Sequence, residues 1–258
     1  MNHVPTHSHR EIELLDMVRR LGGSARSAEL AKSLDVSEET VRRTIKALSK
    51  AGALERVRGG ACLATSQNAP SFFRRISEYQ EEKRAIASAV AGRVSDRMTL
   101  FLDVGSTTAF VAEELRKHLE LTVVTNSIGV AQALAGHNGN RVHLLGGEMM
   151  GEERGTFGFV TENQARRFAF DMAILGANAL SSRQGFLFLS ASDASLANVV
   201  AACADRVLFA LNSQKFNQTA PHCGPDPRAV DELVTDALPD SKITSKLHGW
   251  GIEVTLAK

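Results

Sequence analysis

A strand-like run near the middle of the chain ends in residues that could hold an anion. Residues 101–110 read FLDVGSTTAF, so apolar residues lead to Asp103, a glycine and three hydroxyl residues, and a helical pattern follows. The first N–H groups of a helix lack intrahelical acceptors, and the positive end of the helix dipole lies beside them. The residues that could contact phosphate oxygens here are Gly105, Ser106, Thr107 and Thr108. This chemistry suits either an enzyme that processes a phosphorylated substrate or a sensor that only holds one.

Strand-like and helical segments alternate from residue 99 to the end of the chain. The predicted strands read TLFLDVG, LTVVTNS, RVHLLGGEM, DMAILGAN, RVLFAL and WGIEVTLA, and the helices between them read TTAFVAEELRKHL, IGVAQALA, TENQARRF and SDASLANVVAACA. Such alternation with apolar strands predicts an α/β fold with a mostly parallel sheet. Ligands of such sheets bind at the carboxyl ends of the strands, where 103–108, Asn126 and Asn178 fall.

Three further candidate contacts follow other predicted strands. Asn126 offers both a donor and acceptors, which suits a sugar hydroxyl. Gly146 and Gly147 could form a second turn that approaches a ligand closely. Lys215 could supply a positive charge for the anion. Any one of these loops alone could be an ordinary turn, and their position at successive strand ends is what favours a binding site.

The first 65 residues follow a different, mainly helical pattern. A helix near the N-terminus is predicted to place Ile12, Leu15 and Val18 on one face, and two glycines end it. Ser27 is the predicted N-cap of a short second helix, and Ser37 is the predicted N-cap of a third. Only a short turn separates the second helix from the third, so the two helices must pack together.

The third predicted helix has an apolar face and a basic face. Val41, Ile45 and Leu48 are spaced i, i+4 and i+7. The stretch ALERVRGGACLA alternates around two glycines and predicts a two-stranded wing. This order outlines a winged helix-turn-helix, in which the third helix can enter the major groove of DNA. A helical bundle with a solvated charged face fits the same pattern.

The segment VSEETVRRTIKALSKAGALERVRGGA strongly resembles the DNA-binding domain of DeoR-family bacterial transcription regulators. Their pattern is close to V-S-x-x-T-[IV]-R-R-D-L-x-x-L-x-x-x-G-x-L-x-R-x-x-G-G-A, and this chain departs from it at Thr44, in place of Asp, and at Ile45. Loss of that acid leaves Arg42 or Arg43 freer to contact phosphate. The resemblance implies that residues 7–65 bind operator DNA within a homo-dimer or homo-tetramer. The implied DNA contacts are Ser37, Thr40, Arg42, Arg43, Thr44 and Lys46, with Arg56 and Arg58 in the wing.

The rest of the chain resembles the sensor domain of the same family along nearly its whole length. The matching landmarks are FLDVGSTT, VVTNS, LLGGEM, GTFGFV, DMAILGAN and SQKFN. The resemblance implies a fold similar to A-type ribose-5-phosphate isomerase and coenzyme A transferases, and an effector that is a phosphorylated sugar or related metabolite. The implied effector contacts are Asp103, Gly105, Ser106, Thr107, Thr108, Asn126, Gly146, Gly147, Asp193 and Lys215. Asp193 stands near a family Glu, but the basic residue that often follows this Glu is missing.

The isomerase resemblance favours a sensor over an enzyme. Sugar isomerisation needs a carboxylate base, and the isomerase has an acidic cluster resembling D-G-A-D-E where residues 175–179 read LGANA. We therefore predict a repressor of carbohydrate-metabolism genes that has no enzymatic activity, no cofactor and no metal. Two alternatives stay open: a sugar-phosphate isomerase or hydrolase with an accessory DNA-binding domain, and an architectural DNA-binding protein whose α/β domain only oligomerises.

Length and composition are those of a globular protein with room for two domains. The chain has 258 residues, of which 43% are hydrophobic and 23% are charged. Its three widely separated cysteines suggest free thiols in the cytoplasm, and no apolar run approaches the ~20 residues of a membrane-spanning helix. We expect a DNA-binding domain over 7–65, a linker over 66–71 and a sensor domain over 72–258 that opens with a helix over about 72–95.

Overall fold

The chain forms two compact units, Met1–Glu78 and Tyr79–Lys258, each with its own hydrophobic core. The structure is a computed structural model and describes residues 8–21, 24–63 and 72–258. The predicted linker over 66–71 and the outermost residues of the predicted domain over 7–65 lie outside the described residues.

The described part of the N-terminal unit contains helices packed with a small antiparallel sheet. Its elements are α1 (His9–Arg20), β1 (Ser24–Arg26), α2 (Ser27–Ser33), α3 (Glu38–Lys50), β2 (Leu54–Val57), β3 (Gly60–Leu63) and α4 (Phe72–Ser77). The sheet order is β1-β3-β2, so the predicted two-stranded wing carries a third strand. A Cβ atom on Gly60 would collide with the carbonyl oxygen of Ala25, so the β1–β3 pairing requires glycine there. A strand of three residues is too short for an alternating pattern to be recognised in the sequence.

One apolar core joins the helices of this unit. Val41, Ile45 and Leu48 are at most 3% exposed, as their spacing predicts. In α1 the buried residues are Leu14, Leu15 and Val18. Ile12 is 48% exposed, so the apolar face predicted to contain it is buried only from Leu14 onward.

The start of α2 also differs from its prediction. Ser27 is the first helical residue, Arg26 occupies the N-cap position, and no side chain caps the helix. The backbone N–H of Ser27 instead donates to the carbonyl oxygen of Gly59 at 2.8 Å. The pairing of β1 with the wing therefore sets this helix start, and a local capping pattern does not contain that information.

The predicted helix over 72–95 is two helices, so that prediction is wrong. The first is α4, which belongs to the N-terminal unit and contacts β2, and the second is α5 (Gln80–Ala91), which opens the C-terminal unit. Tyr79 between them has a φ of 54°, a left-handed conformation that no helix contains. The two units consequently divide between Glu78 and Tyr79, and not ahead of residue 72 as expected.

A seven-stranded sheet lies at the centre of the C-terminal unit. Its strands are β4 (Thr99–Leu102), β5 (Thr122–Thr125), β6 (Arg141–Leu144), β9 (Met172–Leu175), β12 (Val207–Leu211), β14 (Glu232–Thr235) and β15 (Glu253–Leu256). The order is β15-β14-β12-β9-β4-β5-β6, and every neighbouring pair is parallel. The predicted mostly parallel α/β sheet is confirmed. The strand β14 was not predicted, because the sequence shows no helical pattern between β12 and the four apolar-rich residues of β14.

Helices cover both faces of this sheet. They are α5, α6 (Ser106–Leu115), α7 (Ile128–Leu134), α8 (Phe159–Ala165), α9 (Ala191–Ala201) and α10 (Ser241–Trp250). On one face, α5, α6 and α7 contribute Ile86, Val111 and Val130 to a buried cluster. On the other, α9 and α10 contribute Val200 and Leu247. None of the helices in the described ranges is both long enough and apolar enough to cross a membrane.

Two small sheets accompany the large one. β7 (Glu148–Met150) and β8 (Gly155–Phe157) form a hairpin, and β10 (Ala179–Ser181), β11 (Gly185–Phe188) and β13 (His222–Cys223) form the other sheet. The predicted strand RVHLLGGEM is therefore two strands, β6 and the beginning of β7, separated at its glycines.

The order of the strands reverses between β4 and β9. The chain runs outward from β4 through β5 to β6 and then resumes on the other side of β4 at β9. In open α/β sheets a crevice forms outside the carboxyl ends of the two strands at such a point, and ligands bind there. Asp103 follows β4 and Gly176 follows β9, so both lie at this crevice.

Candidate functional sites

The N-terminus of α3 is satisfied by its own side chains. The backbone N–H of Thr40 donates to Ser37 Oγ at 3.2 Å, so the predicted cap at Ser37 is confirmed. The two side-chain hydroxyl oxygens lie 2.9 Å apart. Glu38 and Glu39 occupy the first turn, where negative charge is favourable. This end of α3 is therefore closed by its own polar and acidic side chains.

On the exposed face of α3, one arginine is held in ion pairs and the other is not. Arg42 Nη2 donates to Glu38 Oε2 at 2.8 Å, and Arg42 also lies 3.8 Å from Glu39. Arg43 and Lys46 are exposed and have no ion-pair partner within the described residues. Of the two arginines expected to be freer, it is Arg43 that is available to a polyanion.

Thr44 lies at the edge of this face. Its Oγ1 donates to the carbonyl oxygen of Thr40 at 2.9 Å, and the residue is only partly exposed. Thr40 and Thr44 line a shallow cavity together with Arg10 and Glu13 of α1. Thr44 therefore lies beside α1, and its contact with DNA stays a prediction.

The wing adds two further exposed cations. Arg56 is in β2, and Arg58 directly precedes Gly59, whose φ of 81° forms the hairpin turn. Neither arginine has an ion-pair partner in the described part of the chain. Exposed cations on a helix and on a neighbouring hairpin are the electrostatic pattern of a duplex-binding surface.

The N-terminus of α6 opens at the crevice between β4 and β9. Gly105 occupies its N-cap position and provides no side-chain cap. At the starts of α7, α9 and α10, by contrast, a side-chain oxygen accepts backbone N–H groups. Those caps are Ser127, Ser190 and Asp240. The first N–H groups of α6 therefore have no side-chain cap, as at α8, whose N-cap is Gly158, and they can donate to an external anion.

The three hydroxyl residues of this turn differ in accessibility. Ser106 is 8% exposed, Thr108 is fully buried, and Thr107 between them is partly exposed. Thr108 Oγ1 donates to the carbonyl oxygen of Gly105 at 3.1 Å, which holds the turn in shape. Thr107 is therefore the residue whose hydroxyl is best placed to meet a ligand.

Asp103 bridges the two strands at the crevice. Its Oδ1 accepts the backbone N–H of Val104 at 2.7 Å, and its Oδ2 accepts that of Gly176 at 3.3 Å. Burial, followed by the negative charge of Asp193 and, more weakly, of Glu153, raises the pKa of Asp103 to about 8, against the effect of the two backbone hydrogen bonds. The carboxyl group of Asp103 is therefore mostly protonated at neutral pH.

Asp193 reaches the crevice from α9. It lies in the first turn of that helix, where Ser190 Oγ accepts its backbone N–H at 3.4 Å. Its charge acts directly on Asp103. The structure thus brings together two acids that are separated by 90 residues in the sequence, as the sequence analysis expected of effector contacts.

Asn126 lies beside Asp103 and is fully buried. Its Nδ2 donates to the carbonyl oxygen of Thr156 at 3.2 Å, which fixes the orientation of the amide. Its Oδ1 has no hydrogen-bond partner in the described part of the chain. The backbone N–H of Thr156 donates to the carbonyl oxygen of Asn126 at 2.9 Å, so the β7–β8 hairpin crosses the end of β5.

Gly146 and Gly147 serve the docking of α8. The N–H of Gly146 donates to Gln164 Oε1 at 2.8 Å, and its carbonyl oxygen accepts from Thr161 Oγ1 at 2.7 Å. Gly147 has a φ of 146°, and a Cβ atom there would collide with Thr161 and with the carbonyl oxygen of Phe157. These contacts give the pair a packing role, and their approach to a ligand stays a prediction.

Two further loops contribute at the same edge of the sheet. Lys215 ends a short 3-10 turn after β12, and Asn212 caps that turn by accepting the N–H of Gln214 at 2.9 Å. Asn212 is 4% exposed and was missed in the sequence, where no pattern distinguishes it. Asn178 is engaged structurally, since its Oδ1 accepts the N–H of Leu189 at 3.0 Å. In the described residues no three His, Cys, Asp or Glu side chains are grouped so that they could hold a metal ion.

Both units match models of one protein family. Residues 10–67 match the DeoR-like helix-turn-helix domain, and residues 78–237 match the DeoR C terminal sensor domain. The chain belongs to the DeoR family. It is therefore a DNA-binding transcriptional regulator with a sensor domain, and the resemblance seen in the sequence is confirmed.

Curated relatives match this DeoR-family chain over most of its length. The HTH-type transcriptional repressor CsqR of Escherichia coli K12 is 32% identical over 228 residues, which cover 88% of this chain and 87% of CsqR. The glycerol-3-phosphate regulon repressor of the same organism is 28% identical and covers 96% of this chain and 98% of its own. The repressor GlcR of Bacillus subtilis is 27% identical, with 96% of each chain covered. These relatives are regulators and not enzymes.

Two solved structures each resemble a little more than half of the DeoR-family chain. Ribose 5-phosphate isomerase A from Methanocaldococcus jannaschii is 15% identical with a TM-score of 0.40, over 53% of this chain and 54% of the isomerase. The delta subunit of eIF2B from Chaetomium thermophilum is 16% identical with a TM-score of 0.46, over 62% and 57% of the two chains. Likeness at this level carries no argument about activity.

Proposed function

We propose that this DeoR-type regulator represses carbohydrate-metabolism genes and that a phosphorylated sugar bound at the N-terminus of α6 sets its affinity for operator DNA. The observation that carries the proposal is the uncapped start of α6 at the point where the strand order reverses. Backbone N–H groups and the helix dipole favour a phosphate there, and Thr107 adds a hydroxyl donor.

The names of the relatives support the chemistry of the effector. One relative that covers nearly the whole chain is a repressor of a glycerol-3-phosphate regulon, named for a phosphorylated polyol. A phosphate group fits the donor-rich turn at Gly105–Thr108, and the hydroxyl groups of a sugar fit the acceptors of Asp103 and Asn126.

The DNA contacts of the proposal lie on α3 and the wing. In the proposal, Arg43 contacts base edges of the major groove, and Lys46, Arg56 and Arg58 neutralise phosphates. The exposure of all four side chains supports this assignment. Helix-turn-helix proteins commonly bind two half-sites as dimers, so the proposal includes a homo-dimer or homo-tetramer acting in the cytoplasm, where bacterial DNA is found.

The proposal includes sensing without turnover. An isomerase needs a carboxylate base positioned on the substrate, and the loop after β9 offers Gly176 and Asn178, whose side-chain oxygen is already used by the N–H of Leu189. Effector binding would then act only by favouring one arrangement of the paired DNA-binding units over another.

A single binding scheme tests the proposal with the full-length chain. An operator is first selected from a random duplex library, and its Kd is measured by fluorescence anisotropy at fixed salt. Phosphorylated sugars and their unphosphorylated parents are then added in pairs. We expect a phosphorylated member to change the operator Kd while its parent does not. If no sugar phosphate changes the operator Kd or raises the Tm of the protein, the effector assignment is wrong. If the protein converts a bound sugar phosphate to a product, the proposed absence of turnover is wrong.

A further inference from the structure

Two edge strands, β6 and β7, form one rim of the C-terminal unit. Among the described residues, β6 is the last strand of the large sheet and pairs only with β5. Within the same residues β7 pairs only with β8, and β8 forms an antiparallel bridge with Ser127 just after β5. Two antiparallel steps from β5 mean that β7 runs in the same direction as β5 and β6. The backbone groups on the outer side of this rim therefore have no strand partner in the described part of the chain.

Large apolar side chains are exposed along the rim and beside it. Leu144 at the end of β6 is 47% exposed, and Phe159 at the start of α8 is 76% exposed. The start of α8 is held against the rim, because Thr161 Oγ1 donates to the carbonyl oxygen of Gly146 at 2.7 Å. We name the exposed group the rim patch, and its members are Leu144, Met149, Met150, Phe159 and Val160. Single exposed apolar residues are ordinary, but a contiguous group marks a surface that binds a partner.

Opposite charges lie at the two ends of the rim. Arg141 begins β6, whereas Glu148 begins β7 and Glu152 follows it. All three are exposed, and none forms an ion pair within the described residues. Arg141 Nη2 donates to the uncharged Thr122 Oγ1 at 3.1 Å. The rim is therefore basic at its β6 end and acidic at its β7 end.

Such a rim is complementary to a second copy of itself. A two-fold axis sets two rims antiparallel, so the basic end of each copy meets the acidic end of the other. The apolar residues of both copies meet between these ends, and the two outer edges can exchange backbone hydrogen bonds. A foreign partner with one sign of charge would match only one end of the rim.

We propose that the rim patch is the interface between two copies of this chain, related by a two-fold axis that passes near Leu144. The inference rests on the homo-oligomer included in the proposed function, and it assigns the surface that forms it. Stable interfaces bury about 800 Å² on each partner and obtain most of their binding energy from a few anchors near the centre. Leu144 and Phe159 are these anchors, and Arg141 of each copy pairs with the partner's Glu148.

Sedimentation velocity of the full-length protein over a series of concentrations tests the apolar part of the interface. Leu144→Glu and Phe159→Glu should each halve the mass of the assembly, with a rise of roughly thirtyfold or more in its dissociation constant. Leu256→Glu is the matched control, since Leu256 is 40% exposed on β15 at the opposite edge of the sheet, and it should leave the mass unchanged. Far-UV circular dichroism and urea unfolding check that each variant keeps its fold.

Charge reversal tests the two-fold arrangement. Arg141→Glu and Glu148→Arg should each raise the dissociation constant by roughly fivefold or more, because each sets like charges against each other across the axis. The double variant restores both pairs with reversed signs, so its dissociation constant should return to within about threefold of the parent value. A purely structural role of either residue within one subunit would not produce this recovery.

Three outcomes would overturn the inference. An oligomeric parent whose mass is unchanged in the two apolar variants and in the charge variants would place the interface elsewhere and leave the proposed function intact. Loss of stability towards urea without a change in mass would mean that another segment of the same chain covers the rim patch. A parent that is monomeric at the concentrations at which it binds operator would contradict the homo-oligomer of the proposed function as well.

Discussion

Two helices of this protein begin in opposite ways. At the start of α3, Ser37 accepts a backbone N–H and Glu38 and Glu39 fill the first turn. At the start of α6, Gly105 leaves the first N–H groups without a side-chain cap. The capped helix α3 has exposed cations along its side, whereas the uncapped helix α6 exposes backbone N–H groups at its N-terminus.

The difference matches the two kinds of anion that the proposed function requires. A duplex is a long polyanion, and cations spread over a helix face and a wing can follow it. A small phosphorylated molecule is a compact anion, and it suits the few N–H groups and the dipole at one helix end. In the proposed function, the two ligands therefore bind separate parts of the molecule through separate chemistry.

The largest expected effect is on the pH dependence of stability, where the acids near the two helix starts should behave differently. Glu38 and Glu39 are exposed, but Asp103 has a pKa raised to about 8 by burial and by Asp193. The folded chain therefore binds a proton that the unfolded chain releases above pH 3.8, the ordinary value, and stability is lost as pH rises from there towards 8. Asp103→Asn should be more stable than the parent at pH 8 and lose less stability between pH 5 and 8, as measured by urea unfolding. Parallel curves for the two proteins would show that Asp103 is ionised in the fold.

The next effect concerns the open end of α6. Thr107→Val keeps the shape of the side chain but removes a hydroxyl donor to a charged group, so effector binding should weaken by about 1.5–3 kcal/mol while the operator Kd of the free protein is unchanged. Thr108→Val is the matched control, since the hydroxyl of Thr108 already donates to Gly105 and should affect stability more than binding. Equal effector affinities for the parent and Thr107→Val would mean that the anion lies elsewhere.

A comparable effect concerns the side of α3. Arg43→Ala should weaken operator binding by about 1–3 kcal/mol, because a bidentate contact to a base edge is lost. Arg42→Ala should have a smaller effect, since Arg42 is already held by Glu38. Anisotropy at fixed salt measures both, and the reverse ranking with intact folds would assign the base contact to Arg42.

The smallest expected effect comes from a substitution that would give α6 a side-chain cap like that of α3. Gly105→Ser supplies a capping oxygen that competes with the effector for the first N–H groups of α6, and Gly105→Ala supplies only the Cβ atom. That Cβ atom would lie 3.1 Å from Thr108 Oγ1 in both variants, so their difference isolates the cap. The serine variant should be about 0.5–2 kcal/mol more stable than the alanine variant and should bind effector less tightly. Identical stability and affinity for the two variants would show that the open end is not the anion site.

Local patterns were sufficient where the cause of a structure is itself local. The cap at Ser37 and the apolar stripe at Val41, Ile45 and Leu48 follow from helical periodicity and hydrogen-bonding chemistry within a few residues. Local patterns failed where a distant segment sets the structure. At Ser27 the wing sets the start of α2, and at Tyr79 a left-handed backbone conformation interrupts a sequence pattern that predicts one continuous helix.

The predictions for the crevice at the ends of β4 and β9 also succeeded where the cause is local and failed where it is distant. Asp103 and Asn126 were candidates because each follows a predicted strand of a parallel sheet, and Asp193 was a candidate because of the family resemblance. The sequence could not show that Asn126 Oδ1 is left without a donor in the described structure, since that depends on the hairpin that takes up the rest of the amide. Gly146 and Gly147 were also predicted to contact a ligand. In the structure, these glycines pack against α8.

The sequence by itself indicated a helical unit with a wing followed by a mostly parallel α/β sheet, because periodicity, caps and turn residues act over short distances. The family motifs added the regulatory and sensor roles. Tertiary structure alone decided the charge state of Asp103 and which cations remain unpaired on α3. Burial and Coulomb forces depend on groups that folding brings together from 90 residues apart, such as Asp103 and Asp193, and no local pattern contains those distances.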